Sequence, residues 1–480
     1  MKKLLALLLA FSLLAAACGD DGDSDASGDD GGDSTVEGEG GDDGDGGGDD
    51  SADGATGDDG SDDNGDGGSD DGGTGDDGGV PVELTASFRG VTEETITIGV
   101  AAIDAEALLD FGFDFGNVPL EPLLQSWADT LNDNGGIHGR NVQFVHDVFL
   151  PIGDSEQAES CLIMMEDEAV FVVMGQMLGD NPLCITETYG HPYVGHFGET
   201  PGRQERSDGR FFATEISQLP QRIGGVTRMI EDGDFDGKAV AVTWQASEDE
   251  VYADGVLPIL ADAGVNVVSE IEVGDTTDDT VANAAAWDRV VERVKADGAD
   301  VILHLSGIVG PLDAVGRAAG TDIEIALTNG QAADGTTVVS RSTAPDDVRE
   351  NSFAVTTYKP SADVALADDG VQQCLAEYET WGGAMDELEM DNHDFVNGIV
   401  NWCRVFRLTT AILEAAGPDL NPESFVAGGE SLGDIVLPAM PDGSIRPDKH
   451  SAGSQLIRYV YDTELGQYVA TGDPFLGAFG

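Results

Sequence analysis

Basic residues are scarce: 22 Lys and Arg stand against 92 Asp and Glu in 480 residues, a formal net charge of −70. Such a chain lacks the basic surface that nucleic-acid phosphates require, and its charge opposes docking on anionic lipid. Long apolar runs are few as well. The longest is an eleven-residue stretch, Leu4 to Leu14, and no later run approaches the roughly 20 residues of a membrane span, so the body reads as a soluble domain. There are only five cysteines, no Cys-x-x-Cys pair, and seven histidines (138, 146, 191, 196, 304, 393 and 450) that do not fall at zinc-ligand spacing. The chain also has no P-loop, no Gly-rich dinucleotide fingerprint after a strand and no His-Glu-x-x-His, so no cofactor or metal is expected.

The first informative feature that is present is a junction at Cys18. Lys2 and Lys3 form a positive start, Leu4 to Leu14 an apolar middle, and Ala15-Ala16-Ala17 a small-residue cleavage site directly before Cys18. The order resembles a bacterial lipoprotein signal. It implies a signal peptide over residues 1–18, lipidation of Cys18, and an extracytoplasmic protein anchored to the cell membrane; an ordinary secretory signal is the alternative. Residues 19–80 then contain 24 acidic residues, 23 glycines and no Lys or Arg. Such a segment buries too little apolar surface to offset the entropy of folding. Residues 19–85 are therefore read as a disordered Gly/Asp-rich linker, about 45 Å across as a flexible coil and longer through self-repulsion. The run Asp62-Asp63-Asn64-Gly65-Asp66 hints at a Ca²⁺ loop, but Gly60 stands where the first Asp is needed and no Glu closes it.

Without leader and linker, residues 81–480 still carry 68 acidic and 20 basic side chains. This surface suits saline surroundings and disfavours self-association, so a monomer is expected. Four hundred residues exceed one core and predict two or more lobes. Cys161, Cys184, Cys374 and Cys403 are an even set for an oxidising compartment and predict two disulfides. Of the three connectivities, Cys161–Cys184 with Cys374–Cys403 is preferred, because each bond staples a helix to a nearby element.

Over residues 92–345 short β-rich apolar runs alternate with amphipathic stretches, the pattern of a doubly wound α/β lobe with a parallel sheet. Strands are predicted at Thr95–Ala101, Asn141–Asp147, Val170–Met174, Tyr193–Phe197, Ala239–Trp244, Asn266–Val273, Val301–Leu305 and Glu324–Leu327. Leu120, Leu123, Leu124, Trp127, Ala128 and Leu131 form one face of a helix, which Asn134-Gly135-Gly136 ends in left-handed conformations.

The stretch Leu131-Asn132-Asp133-Asn134-Gly135-Gly136-Ile137-His138-Gly139-Arg140-Asn141-Val142 resembles the first helix–strand turn of the branched-chain amino-acid binding proteins, which are type I periplasmic solute-binding proteins of ABC transporters. The first strand, Thr95-Ile96-Thr97-Ile98-Gly99-Val100, the Cys161/Cys184 positions, and the closing segment Gly443 to Ser451 with Tyr459-Val460-Tyr461-Asp462 are similar too. The resemblance spans roughly residues 93–470. It implies two α/β lobes joined by three chain crossings, placed at about 93–214 plus 358–453 and 215–357 plus 454–480. A small-molecule solute would lie in the cleft, and ABC permease subunits would be the membrane partner.

On that pattern the ligand-binding candidates follow the strand ends. They are Gln176 and Met177 after the third strand, Glu199 and Thr200 after the fourth, Tyr252 as a covering aromatic, Ser306 after the seventh, and Asn329 and Gln331 after the eighth. Gln176 and Met177 replace the expected Ser-rich turn. No carboxylate follows the last strand to hold an α-ammonium, so an amide-type or neutral solute is expected, with Glu199 or Asp104 as the anion if an ammonium binds elsewhere.

Two other classes share some of these features. A sensor of the same fold shares every feature above, and only the lack of a transmembrane helix or intracellular domain favours import. Gly429-Glu430-Ser431-Leu432-Gly433, followed by Asp442 or Asp448 and His450, matches a nucleophile elbow in letters. Its context is reversed, with a helix end before the Ser and an extended stretch after it, and no enzyme is expected. Glu248 and Glu250 are read as caps of the helix that starts beside them.

Overall fold

The computed structural model describes residues 84–109, 117–151, 153–274, 280–305, 321–329 and 349–478. The leader with Cys18, residues 19–83 of the predicted linker, Ser306 and Gln331 lie outside these residues; Thr85, assigned to the linker from the sequence, is described, and its carbonyl accepts from Arg140.

The alternating runs become two sheets, the first wholly parallel and the second parallel except for two late strands. The first comprises β1 (Thr95–Ile103), β2 (Asn141–Phe149), β3 (Val172–Gly175), β4 (Tyr193–Gly195) and β5 (Phe211–Ala213), in the order β2-β1-β3-β4-β5. β1 is buried from Ile96 to Ala102, because helices cover both faces, and so its sequence is apolar without alternation. The second sheet comprises β6 (Ala239–Gln245), β7 (Asn266–Val273), β8 (Val301–His304), β9 (Glu324–Leu327) and β10 (Ser352–Thr357), with two antiparallel late strands, β13 (Gln455–Asp462) and β14 (Gln467–Leu476). Its order is β14-β13-β10-β9-β8-β6-β7. The strands β11 (Gly433–Leu437) and β12 (Met440–Ile445) form a separate hairpin. All eight strands predicted from the sequence are present, two of them with identical bounds. β5, β10 and β11 to β14 were not anticipated.

Among the helices used below, α1 spans Leu120–Asp133, α2 Ser155–Leu162, α3 Pro201–Arg206, α4 Gln218–Glu231, α5 Asp369–Thr380, α6 His393–Ala415 and α7 Pro422–Glu430. The apolar face of α1 packs Trp127 flat on Phe406 of α6, ring centroids 4.4 Å apart, inside the core of the first lobe. Cys161 at the end of α2 is bonded to Cys184, and Cys374 of α5 to Cys403 of α6. No helix among the described residues is long and apolar enough to cross a membrane.

The turn after α1 explains its own sequence. Gly136 has φ +67°, and a Cβ there would lie 1.9 Å from the Arg140 carbonyl oxygen, so only glycine fits. Arg140 is fully buried, and its guanidinium donates to three carbonyls: Thr92 (2.7 Å), Pro418 (2.8 Å) and Thr85 (3.0 Å). It thus ties β1's approach and the α6–α7 loop to one point.

Among the described residues the chain passes three times between the layers of the two sheets, between β5 and α4, after β10 and before β13. The first and third run side by side, with Ala213 N–H donating to His450 (3.0 Å), Ala452 N–H to Ala213 (2.8 Å) and Gly453 N–H to Thr214 (3.0 Å). Lys449 anchors the third crossing by donating to the carbonyls of Ser444, Ser451 and Ala452. Its burial, with Arg446 nearby, lowers its pKa to about 8. Arg140→Ala should lower stability by about 3 kcal/mol in chemical denaturation, since it removes charge-assisted bonds and orphans buried carbonyls. Arg140→Lys should recover less than half, because a point charge cannot reach three carbonyls at once. An unchanged midpoint in Arg140→Ala would contradict this role.

Candidate functional site

The carboxyl ends of β3, β4, β6 and β9 converge on a cavity of about 720 Å³ between the sheets. Parallel strands leave backbone groups and helix starts at that edge, which makes it the binding edge of an open α/β sheet. The first lobe supplies residues before and within α2 (Pro151, Gly153, Asp154, Gln157, Ala158), the loop Met177 to Asn181, Cys184, and Phe197 to Glu199. The second supplies Gln218, Gln221 and Arg222 from the first turns of α4, Gln245 to Glu248 after β6, and Asn329 after β9.

The predicted site residues fall into three groups. Met177, Glu199 and Asn329 line the cavity. Gln176, Thr200 and Tyr252 do not. Gln176 Oε1 accepts from the Ile103 amide (3.2 Å), and Thr200 caps α3 by accepting from the Arg203 amide (3.3 Å). Tyr252 stacks on Trp244 at 3.8 Å in the core of the second lobe and donates its hydroxyl to Glu270 (2.7 Å). Ser306 and Gln331 lie outside the described residues. Asp104, the alternative anion, is also off the cavity wall, where its Oδ1 accepts from the Ala107 amide (2.9 Å).

Glu199 sits at the meeting of the crossings. It is 4% exposed, and its two oxygens accept from Ser217 Oγ (3.0 Å), which precedes α4, and Ser451 Oγ (2.7 Å), in the third crossing. Beside it Glu215 faces His196 (3.4 Å) and Lys359 of the second crossing (3.8 Å). Burial, then the nearby Lys359 and Arg404 cations, hold His196 well below its ordinary pKa, so it is neutral near pH 7 despite Glu215.

Sequence reading missed the two arginines on the wall. Arg203 Nε is 2.8 Å from Asp180, and the fully buried Arg222 lies 3.5 Å from Glu248. Arg222 also donates to Gln221 and to the Thr328 carbonyl (2.9 Å), while its Nε has no partner. Both belong to helices, whereas the resemblance points to residues after strand ends. Both cations among the described lining residues are therefore already paired with carboxylates. Glu248 does not cap the helix beside it but pairs across to α4. Ser431 ends α7, its hydroxyl donating to the Gly428 carbonyl (2.7 Å), and β11 follows it; His450 bonds Glu430 (3.1 Å) and Gln204. This is a helix end, not a strand-to-helix elbow. Among the described residues no group of three or more His, Cys, Asp or Glu is placed to hold a metal ion.

No protein-family model and no curated protein matches the chain. Solved structures do match it. A solute-binding protein of an ABC transporter from R. palustris, in complex with 4-hydroxybenzoate, is 16% identical with a TM-score of 0.56, over 80% of this chain and 98% of that one. A type 1 periplasmic binding protein from Bordetella pertussis is 13% identical with a TM-score of 0.56, over 79% and 100%. A fatty acid ABC transporter substrate-binding protein from Thermomonospora curvata is 16% identical with a TM-score of 0.55, over 82% and 95%. The fold is that of the type I periplasmic binding proteins, and at these identities the likeness carries the fold alone.

The neutral His196 sets a pH dependence. The unfolded chain binds a proton near pH 6.5 that the folded one does not, so folded stability falls as pH drops below that value. Between pH 7.5 and 5.5 His196 alone should remove about 1.4 kcal/mol. The slope of stability against pH in that window should be shallower in His196→Gln, and equal slopes would contradict a neutral buried imidazole.

Proposed function

We propose that this chain is the extracytoplasmic substrate-binding lipoprotein of an ABC importer, capturing a small neutral or amide-type solute between its lobes without chemical change. The observation that carries the reading is the cavity itself, which lies between the carboxyl ends of parallel strands from two sheets. A volume of about 720 Å³ exceeds what a single amino acid needs and is within the usual range for small-molecule sites.

The wall chemistry supports the solute class. Among the described residues six amide side chains line it: Gln157, Asn181, Gln218, Gln221, Gln245 and Asn329. Among the described lining residues the carboxylates, including Glu199, Glu215 and Glu248, outnumber the arginines, and those arginines are engaged by Asp180 and Glu248. A ligand carboxylate would enter a negative site and find its cations occupied, at a desolvation cost of several kcal/mol. The fatty acid and 4-hydroxybenzoate named for the two neighbours are therefore poor candidates here. Lipidation of Cys18 and a linker over residues 19–85 would tether the protein while letting it search for solute and reach the permease subunits.

The test is a thermal-shift screen against amides, amino acids, sugars and aromatic acids. Saturation at 100 times Kd adds about 2.7 kcal/mol, a rise of several degrees. Amides or neutral polar solutes should give a saturable shift and 4-hydroxybenzoate none; a shift by aromatic acids alone would overturn the solute class. Cys18→Ser should move the protein from the membrane fraction to the soluble fraction, and continued sedimentation with membranes would contradict the lipid anchor.

A further inference from the structure

Of the three acidic residues after β6, Glu248 pairs with Arg222 and Asp249 accepts from Trp244 Nε1 (2.9 Å), both within the second lobe. The third reaches across the cleft. The half-buried carboxylate of Glu250 accepts from the backbone amide of Gly202, in the first lobe, at 3.0 Å to each of its oxygens. Gly202 is the second residue of α3, where the N–H has no partner inside the helix, and Thr200 already serves the amide of Arg203. The amide of Gly202 is thus completed by the opposite lobe.

Glycine is what allows this approach. A Cβ at position 202 would lie 2.9 Å and 3.1 Å from the two Glu250 oxygens, and the flexible carboxylate would have to move aside. We infer that Glu250 and Gly202 form a latch that holds the cleft closed, a positioning contact for solute capture that rests on the binding reading above. The contact exists only while the lobes are together, so its free energy favours the closed form alone. It raises the population of closed protein before solute arrives, and apparent affinity rises by the same factor. The charge on Glu250 and the partial positive charge of the helix start strengthen the bond.

The test is amide hydrogen exchange of the full chain without solute, so failure of the latch is separable from failure of the binding reading. Glu250→Ala should speed exchange at Gly202 about tenfold or more, while the amide of Ala452 in the crossing stays protected. Gly202→Ala keeps an amide at 202 and pushes the carboxylate back slightly, so exchange there should also accelerate, but less than in Glu250→Ala. Glu272→Ala, on the exposed face of β7, should leave exchange at 202 unchanged. Unchanged exchange at 202 in both Glu250→Ala and Gly202→Ala would overturn the latch, and so would equal acceleration at Ala452, which would mean loss of the whole lobe interface.

Discussion

The rest of the structure depends on how three chain crossings are held together between two sheets, and the central contact is the buried carboxylate of Glu199 between Ser217 and Ser451. One residue belongs to the loop after β4, one to the start of α4 and one to the third crossing. Two hydroxyls compensate a charge that burial would otherwise penalise. Because these groups lie at one point, the carboxyl edges of both sheets face each other, and the cavity follows from that placement.

Around this point the protein manages an unusual charge balance. The net charge of −70 leaves few cations, and several of them serve as structural ties. Arg140 gathers three carbonyls, Lys449 three more, Arg222 spans α4 and the β6 loop, and Lys359 answers Glu215. Among the described residues of the cavity wall the same economy leaves both arginines engaged. The chemistry available to a solute is then mainly amide and carboxylate, a different set from one that would receive an anionic ligand.

Much of the fold was legible because buried parallel strands write continuous apolar runs, such as Val301-Ile302-Leu303 in β8 and Val240-Ala241-Val242 in β6. β10 escaped because Ser352-Phe353-Ala354-Val355-Thr356-Thr357 mixes hydroxyls into a buried strand, where Ser352 and the two threonines find partners that only the fold supplies. β5 is a short run, Phe211-Phe212-Ala213, whose place at the edge of the sheet is set by its pairing with β4. Loops after strands were legible, and Met177, Glu199 and Asn329 from those loops line the cavity. Tyr252 shows the limit: an aromatic in the right place along the chain is turned into the core by Trp244 and Glu270, contacts that no spacing reveals. The role of Glu250 was equally hidden, because its partner lies 48 residues away in the other lobe.

The most direct test of the central claim is equilibrium dialysis of the protein against a mixed pool of amides, amino acids, sugars and aromatic acids, with mass spectrometry of what the protein side retains. The account predicts that a neutral or amide-bearing class is enriched, up to one molecule per chain, and is released chemically unchanged on denaturation. Equal concentrations on both sides, or conversion of a pool member into a product, would contradict it.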